Sequence, residues 1–153
     1  DDNEVVQTIQ QNLERARVFA GFTDVKGKGI IVTLDNGEIV DVGETDILDV
    51  INELRAAGAQ AISVNDERIV ATSEVRTAGR YIMINGRQMV APFVIKAISD
   101  PEKLERSLML IGGVVETLEP WIEIDVKKAD DLIIPKVRDD GTVIKIDLLT
   151  PVE

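Results

Sequence analysis

Cysteine and histidine are both absent from these 153 residues. Without them there is no disulfide, no thiolate nucleophile, no Cys/His zinc site and no imidazole base. Aromatic side chains make up only 3% of the chain, with one Trp and one Tyr, so little is available to line a sugar-binding cleft. Basic residues are outnumbered 28 to 17, for a formal net charge of −11, and no Lys/Arg run interrupts that balance. Such a chain repels phosphate backbones and anionic headgroups, so neither nucleic acid nor a membrane surface is an expected partner, and the charge reads as solubility. Also missing are an initiator methionine, a signal peptide and an apolar span of about 20 residues. The chain opens at Asp1 and reads as a fragment or processed product whose upstream part is out of view.

What is present is aliphatic. Apolar residues are 44% of the composition, enough for a core of Val, Ile, Leu and Ala in one ordinary domain. Burial on that scale offsets ordering entropy, which disfavours intrinsic disorder.

Residues 3–20 read as a helix in which Val6, Ile9, Leu13, Ala16 and Ala20 recur at heptad spacing. Two readings fit: an amphipathic helix packed on its own domain, or the end of a longer coiled coil. Gly21 supplies a helix stop, so residues 1–21 are separated from a single α+β domain over 22–153. Gly27-Lys28-Gly29 is read as a turn before the strand Ile30–Leu34, because a phosphate-binding loop needs a helix directly after it. A second helix runs from about Thr45 to Ala57, capped by Thr45 or Asp46, with Ile47, Val50, Ile51 and Leu54 as its apolar face. The strand Ala61–Val64 completes a βαβ unit, which predicts parallel strands in one sheet. Tyr81–Ile84, the turn at Asn85-Gly86 and a return strand within residues 89–98 form a predicted hairpin. Ser99 or Asp100 with Pro101 starts a third helix, which Gly112-Gly113 breaks before a short helix over Val114–Leu118. Trp121–Val126 alternates as a half-buried strand, and residues 132–137 and 142–148 suggest a terminal hairpin across Asp140-Gly141. The predicted class is therefore α+β, a ferredoxin-like split βαβ core with an N-terminal helix, an inserted hairpin and a C-terminal hairpin.

Several stretches carry a resemblance. They are Ile30–Asp35, Val50–Ala59, Ala61–Asn65, Arg68-Ile69, Thr72–Arg76, Ile84-Asn85-Gly86 and Ala91–Ile98. In this order the chain resembles the bacterial family labelled domain of unknown function 881, with its YlxW- and YlxX-like members. The resemblance implies a single-pass membrane protein: a short N-terminal anchor, a coiled-coil stretch, then this domain outside the cytoplasm. Some family genes lie beside cell-division genes, so envelope or division proteins are implied partners. Membrane attachment would come only through the missing anchor.

The most site-like cluster is polar: Asn65, Arg68, Thr72, Ser73, Glu74, Arg76 and Asn85. Two arginines with hydroxyls and amides can grip a carboxylate or phosphate, which makes an anionic small-molecule sensor the alternative reading. The same residues can equally serve turns and strand pairs. Asp46, Asp49 and Glu53 sit at spacings that share a helix face, but the helix N-terminus accounts for the first two without a metal. Ser63, Ser73, Ser99 and Ser107 have no histidine, and no Ser-x-x-Lys motif links them to Lys96 or Lys103. No catalytic residue, metal ligand or cofactor is assigned. The function expected is a non-catalytic interaction or scaffold domain, self-associating through its first helix.

Overall fold

The computed structural model describes residues 1–152, with Phe19 described by its backbone alone. The chain forms α1 (Asp2–Phe19), β1 (Val25–Asp35), α2 (Glu44–Ala56), β2 (Ala61–Val64) and β3 (Glu67–Ile69), followed by β4 (Val75–Ala78), β5 (Tyr81–Ile84) and β6 (Arg87–Met89). It continues with β7 (Phe93–Ile98), α3 (Pro101–Leu108), α4 (Val114–Leu118) and β8 (Glu123–Ile134).

Two antiparallel sheets result. The larger has the order β3-β2-β7-β1-β8, the smaller β4-β5-β6. β1 and β2 are each antiparallel to β7, so they run parallel to one another with β7 between them. β7 and β8 are likewise parallel, with β1 between them. Each helical crossover therefore skips one strand.

Along β1 the side chains Ile30, Val32 and Leu34 point into one core, as do Phe93, Ile95 and Ala97 along β7. Ile47, Val50, Ile51 and Leu54 of α2 meet them, with Leu104 and Leu108 of α3 and Val115 and Leu118 of α4. The three helices thus cover one face, and each fully buried Ile or Leu contributes about 1.5–3 kcal/mol of apolar transfer. Glu102 of α3 accepts from Lys128 Nζ of β8 at 2.9 Å. That bond, with the Glu102 and Glu105 charges, holds the ammonium above its ordinary pKa.

The helix ends follow their local chemistry. Asp100 caps α3 by accepting from Glu102 N–H at 3.1 Å, with Pro101 in the first turn. The start of α2 differs from expectation: Gly43 is the N-cap residue, and Asp46 reaches back to accept its N–H at 2.8 Å. α2 closes with paired bonds from Gly58 N–H to Arg55 and from Ala59 N–H to Leu54.

Three strand assignments are corrected. Gly27-Lys28-Gly29 lies within β1, opposite a register shift in β8, so it is strand and not a turn. The return strand expected within residues 89–98 is instead β6, Arg87–Met89, which closes the small hairpin, while the strand inside that range, β7, pairs in the large sheet. The C-terminal hairpin does not form among the described residues. Leu132–Ile134 instead completes β8, which stops before Pro135, a residue without the N–H that a ladder needs. The chain beyond packs as irregular structure, burying Val137 and Val143.

Candidate functional site

The junction between α1 and the sheet is built around Arg68. α1 ends with Gly21 at a φ of +83°, and Phe22 N–H bonds back to the Arg17 carbonyl at 2.8 Å. Arg68, in β3, is only 3% exposed. Its Nη2 donates to the Val18 carbonyl at 3.2 Å, and Nη1 donates to the carbonyls of Thr23 at 3.0 Å and Pro135 at 3.3 Å. Burial pulls this guanidinium below its ordinary pKa, and the nearby Asp24 charge opposes the pull. Arg68 therefore clasps the helix base, the linker and the end of β8 in one set of bonds.

The remaining polar residues sit around this knot. Asn85, at the β5–β6 turn with a φ of +51°, is buried and donates from Nδ2 to the Arg68 carbonyl at 2.9 Å. Ser73 Oγ accepts from Val70 N–H at 2.9 Å and donates to the Arg68 carbonyl at 3.2 Å. Thr72 Oγ1 donates to the Val143 carbonyl at 2.8 Å, fastening the C-terminal segment. Asn65 stands apart at the β2–β3 turn, where its Oδ1 accepts from Val94 N–H at 2.7 Å. Arg76 pairs at 2.9 Å with Glu74, and both are about half exposed.

The geometry thus joins Arg68, Thr72, Ser73 and Asn85 and leaves Asn65 and Arg76 outside. Thr72, Glu74 and Asn85, with residues 140–143 and Lys145, line a groove of about 470 Å3. Arg68 does not line it, because its donors point at main-chain carbonyls. Asp140, on the groove wall, accepts from Thr142 Oγ1 at 2.5 Å and from Thr142 N–H at 3.0 Å, which holds its carboxyl below the ordinary value.

Two residues of this knot escape sequence reading. Glu67 is buried and pairs with Arg138 Nη2 at 3.1 Å and Arg87 Nη1 at 3.7 Å. Arg138 Nη2 also donates to the Asn85 carbonyl. Glu67 and Arg138 lie far apart in the chain and form no local motif, so only the fold brings them together. Ser63 sits directly across from Lys96 on neighbouring strands. Its hydroxyl is fully buried, however, and Lys96 lies 3.7 Å from Asp66. Glu53 accepts from Ser107 Oγ, tying α2 to α3.

α1 presents the opposite character. Residues 1–18 are exposed throughout, including Ile9 at 60% and Leu13 at 59%. Val6, Ile9, Leu13 and Ala16 of its apolar stripe are thus all exposed, whereas Ala20, past the helix end, is half-buried.

A family model described as "Bacterial protein of unknown function (DUF881)" matches residues 12–146. The chain belongs to this family. Among its DUF881 relatives, the UPF0749 protein YlxW of Bacillus subtilis is 33% identical over 119 residues, covering 72% of this chain and 52% of YlxW. The UPF0749 protein Rv1825 of Mycobacterium tuberculosis is 30% identical over 116 residues, covering 73% and 39% of the respective chains. This DUF881 chain thus matches about half or less of the length of these relatives. The crystal structure of an uncharacterized conserved protein from Mycobacterium tuberculosis superimposes with a TM-score of 0.76 at 27% identity. That match covers 92% of this chain and 99% of the other.

Proposed function

We infer that this DUF881 domain is a non-catalytic interaction module, self-associating through α1 and carried outside the cytoplasm by a membrane-anchored bacterial protein. The observation that carries the reading is the apolar stripe of α1, exposed along the helix while its base is clasped to the domain by Arg68. An amphipathic helix held at one end and bare along its apolar side gains most by meeting its equivalent in a second copy. The stripe of Val6, Ile9, Leu13, Ala16 and Ala20 fits a parallel two-stranded seam. The core itself is read as ferredoxin-like, on the strand order β2-β7-β1-β8 and its two helical crossovers. A place beside envelope or division proteins follows the YlxW and YlxX resemblance, with a stalk entering the domain at α1.

The absence of thiol makes the test clean. Leu13→Cys introduces the only cysteine, and under mild oxidation it is expected to crosslink to the Cys of a second copy. Light scattering should show an oligomer that Ile9→Glu with Leu13→Glu converts to monomer. A chain that stays monomeric at high concentration, and a Leu13→Cys variant that does not crosslink, would rule out the seam.

A further inference from the structure

A second groove lies at the other end of β1 from α1. β1 is 11 residues long. At about 3.3 Å per residue, roughly 33 Å of strand separates the two ends. The groove holds about 280 Å3 between the loop after β1 and the turn joining α4 to β8. That loop is firmly built. Asp35 Oδ1 accepts from Asn36 N–H at 2.8 Å, Asn36 Oδ1 accepts from Val42 N–H at 2.9 Å, and Gly37 N–H donates to the Val40 carbonyl at 2.9 Å. Gly37 packs so closely that a Cβ there would lie 1.9 Å from the Trp121 carbonyl oxygen. These contacts leave Ile39 standing out at 95% exposed and Trp121 at 61%, on the walls of one groove.

The charge around them has one sign. Glu38, Glu119 and Glu123 line the groove, and no basic side chain does. Among the described residues, none of the three is in an ion pair. The asymmetry extends outward: residues 29–54 and 107–126, which contain both walls, hold eleven of the 28 acidic residues and none of the 17 basic ones.

An exposed indole and isoleucine ringed by unpaired carboxylates repel a second copy of the same surface and an anionic bilayer alike. A segment bearing Lys or Arg beside an apolar side chain fits on every count. The apolar group desolvates Ile39 and Trp121, a cation can lie over the indole, and the carboxylates steer the approach. We propose that the acidic Ile39–Trp121 groove is the docking site for a cationic, apolar-bearing segment of a partner protein. The proposal deepens the interaction-module reading and rests on it, but it does not depend on α1.

Trp121 is the only tryptophan, so its emission reports on this groove alone. The chain would be titrated with two synthetic peptides, alternating Leu-Lys and alternating Leu-Glu. A saturable blue shift is expected with the first and none with the second. By anisotropy of the labelled Leu-Lys peptide, Glu38→Gln with Glu119→Gln and Glu123→Gln should weaken binding by roughly tenfold or more, and Ile39→Ser should weaken it similarly. A control with Asp130→Asn, Asp131→Asn and Asp139→Asn, of the same net charge, should bind like wild type. All these side chains are exposed, so thermal melts should match wild type.

No saturable shift, an equal response to Leu-Glu, or equal weakening by the control would overturn the proposal. So would loss of an oligomer on Ile39→Ser, since the occupant would then be a second copy. Peptide binding by a monomeric chain would sink the α1 seam alone, whereas an α1 oligomer that ignores the peptide would sink the groove alone.

Discussion

The guanidinium of Arg68 donates to three carbonyls: Val18 in the last turn of α1, which also accepts from Gly21 N–H, Thr23 in the linker, and Pro135 past the end of β8. Together these bonds tie three separate stretches of main chain to one buried side chain. Arg68→Met keeps the aliphatic stem and deletes the donors, so it is expected to destabilise the fold by roughly 3 kcal/mol in urea unfolding. Arg68→Lys should recover only part of this, because one ammonium does not reproduce a planar fork. An unchanged midpoint for Arg68→Met would refute the clasp. Asp140 supports a pH prediction. Its folded pKa lies below the ordinary value of 3.8, so its contribution is present above that value and is lost as pH falls through the lower folded pKa. The Thr142 amide resonance should therefore titrate below pH 3.8, and Asp140→Asn should abolish that titration. A Thr142 midpoint at or above 3.8 would contradict the bonding described. Of the polar residues singled out in the sequence, Arg68, Thr72, Ser73 and Asn85 come together, while Asn65 and Arg76 lie outside. Their roles were not legible, since an Arg aimed at carbonyls and an Arg aimed at an anion look the same in one dimension.

At the scale of elements, α1 depends on how it ends. Gly21 has a positive φ, and a Cβ there would sit 2.6 Å from Val70 Cγ1 and 3.3 Å from Val137 Cγ1. Gly21→Ala is accordingly expected to cost about 2 kcal/mol or more, combining left-handed backbone strain with overpacking. Thermal melting would show the loss, while helix content by circular dichroism below the transition should change little. A fully stable Gly21→Ala variant would argue against the packed junction. Helices were the most readable elements, because Gly58 and Asp100-Pro101 carry stop and start signals within a few residues; the exception is Gly112-Gly113, which does not end α3, since that helix already stops at Leu108 and Gly113 caps the start of α4. Strands were harder. The return strand of the Asn85-Gly86 hairpin was placed within residues 89–98, yet the strand there, β7, belongs to the other sheet, a choice made by partners distant in sequence. The expected C-terminal hairpin failed for a related reason. Thr72 and Arg138 draw residues 138–143 onto the domain, where they serve as covering rather than as a ladder.

At the scale of the molecule, two features sit at opposite ends of β1: an amphipathic helix with a bare apolar stripe, and an acidic groove with a protruding Ile39. Separate ends allow one copy to associate through α1 while holding a cationic partner at the groove. A chain crosslinked through Leu13→Cys should therefore bind the Leu-Lys peptide at one site per copy, as measured by calorimetry. Half-occupancy would show that association hides the groove. The amino-acid sequence by itself determined the α+β class, the aliphatic core, the helix stripes and the exclusion of thiol and imidazole chemistry, because composition and local periodicity set all of these. Tertiary structure alone decided that β7 enters between β1 and β2, that Arg68 is spent on main-chain carbonyls, and that Ile39 and Trp121 line one groove with three carboxylates. Each of those depends on atoms brought together across dozens of residues, where no local pattern reaches.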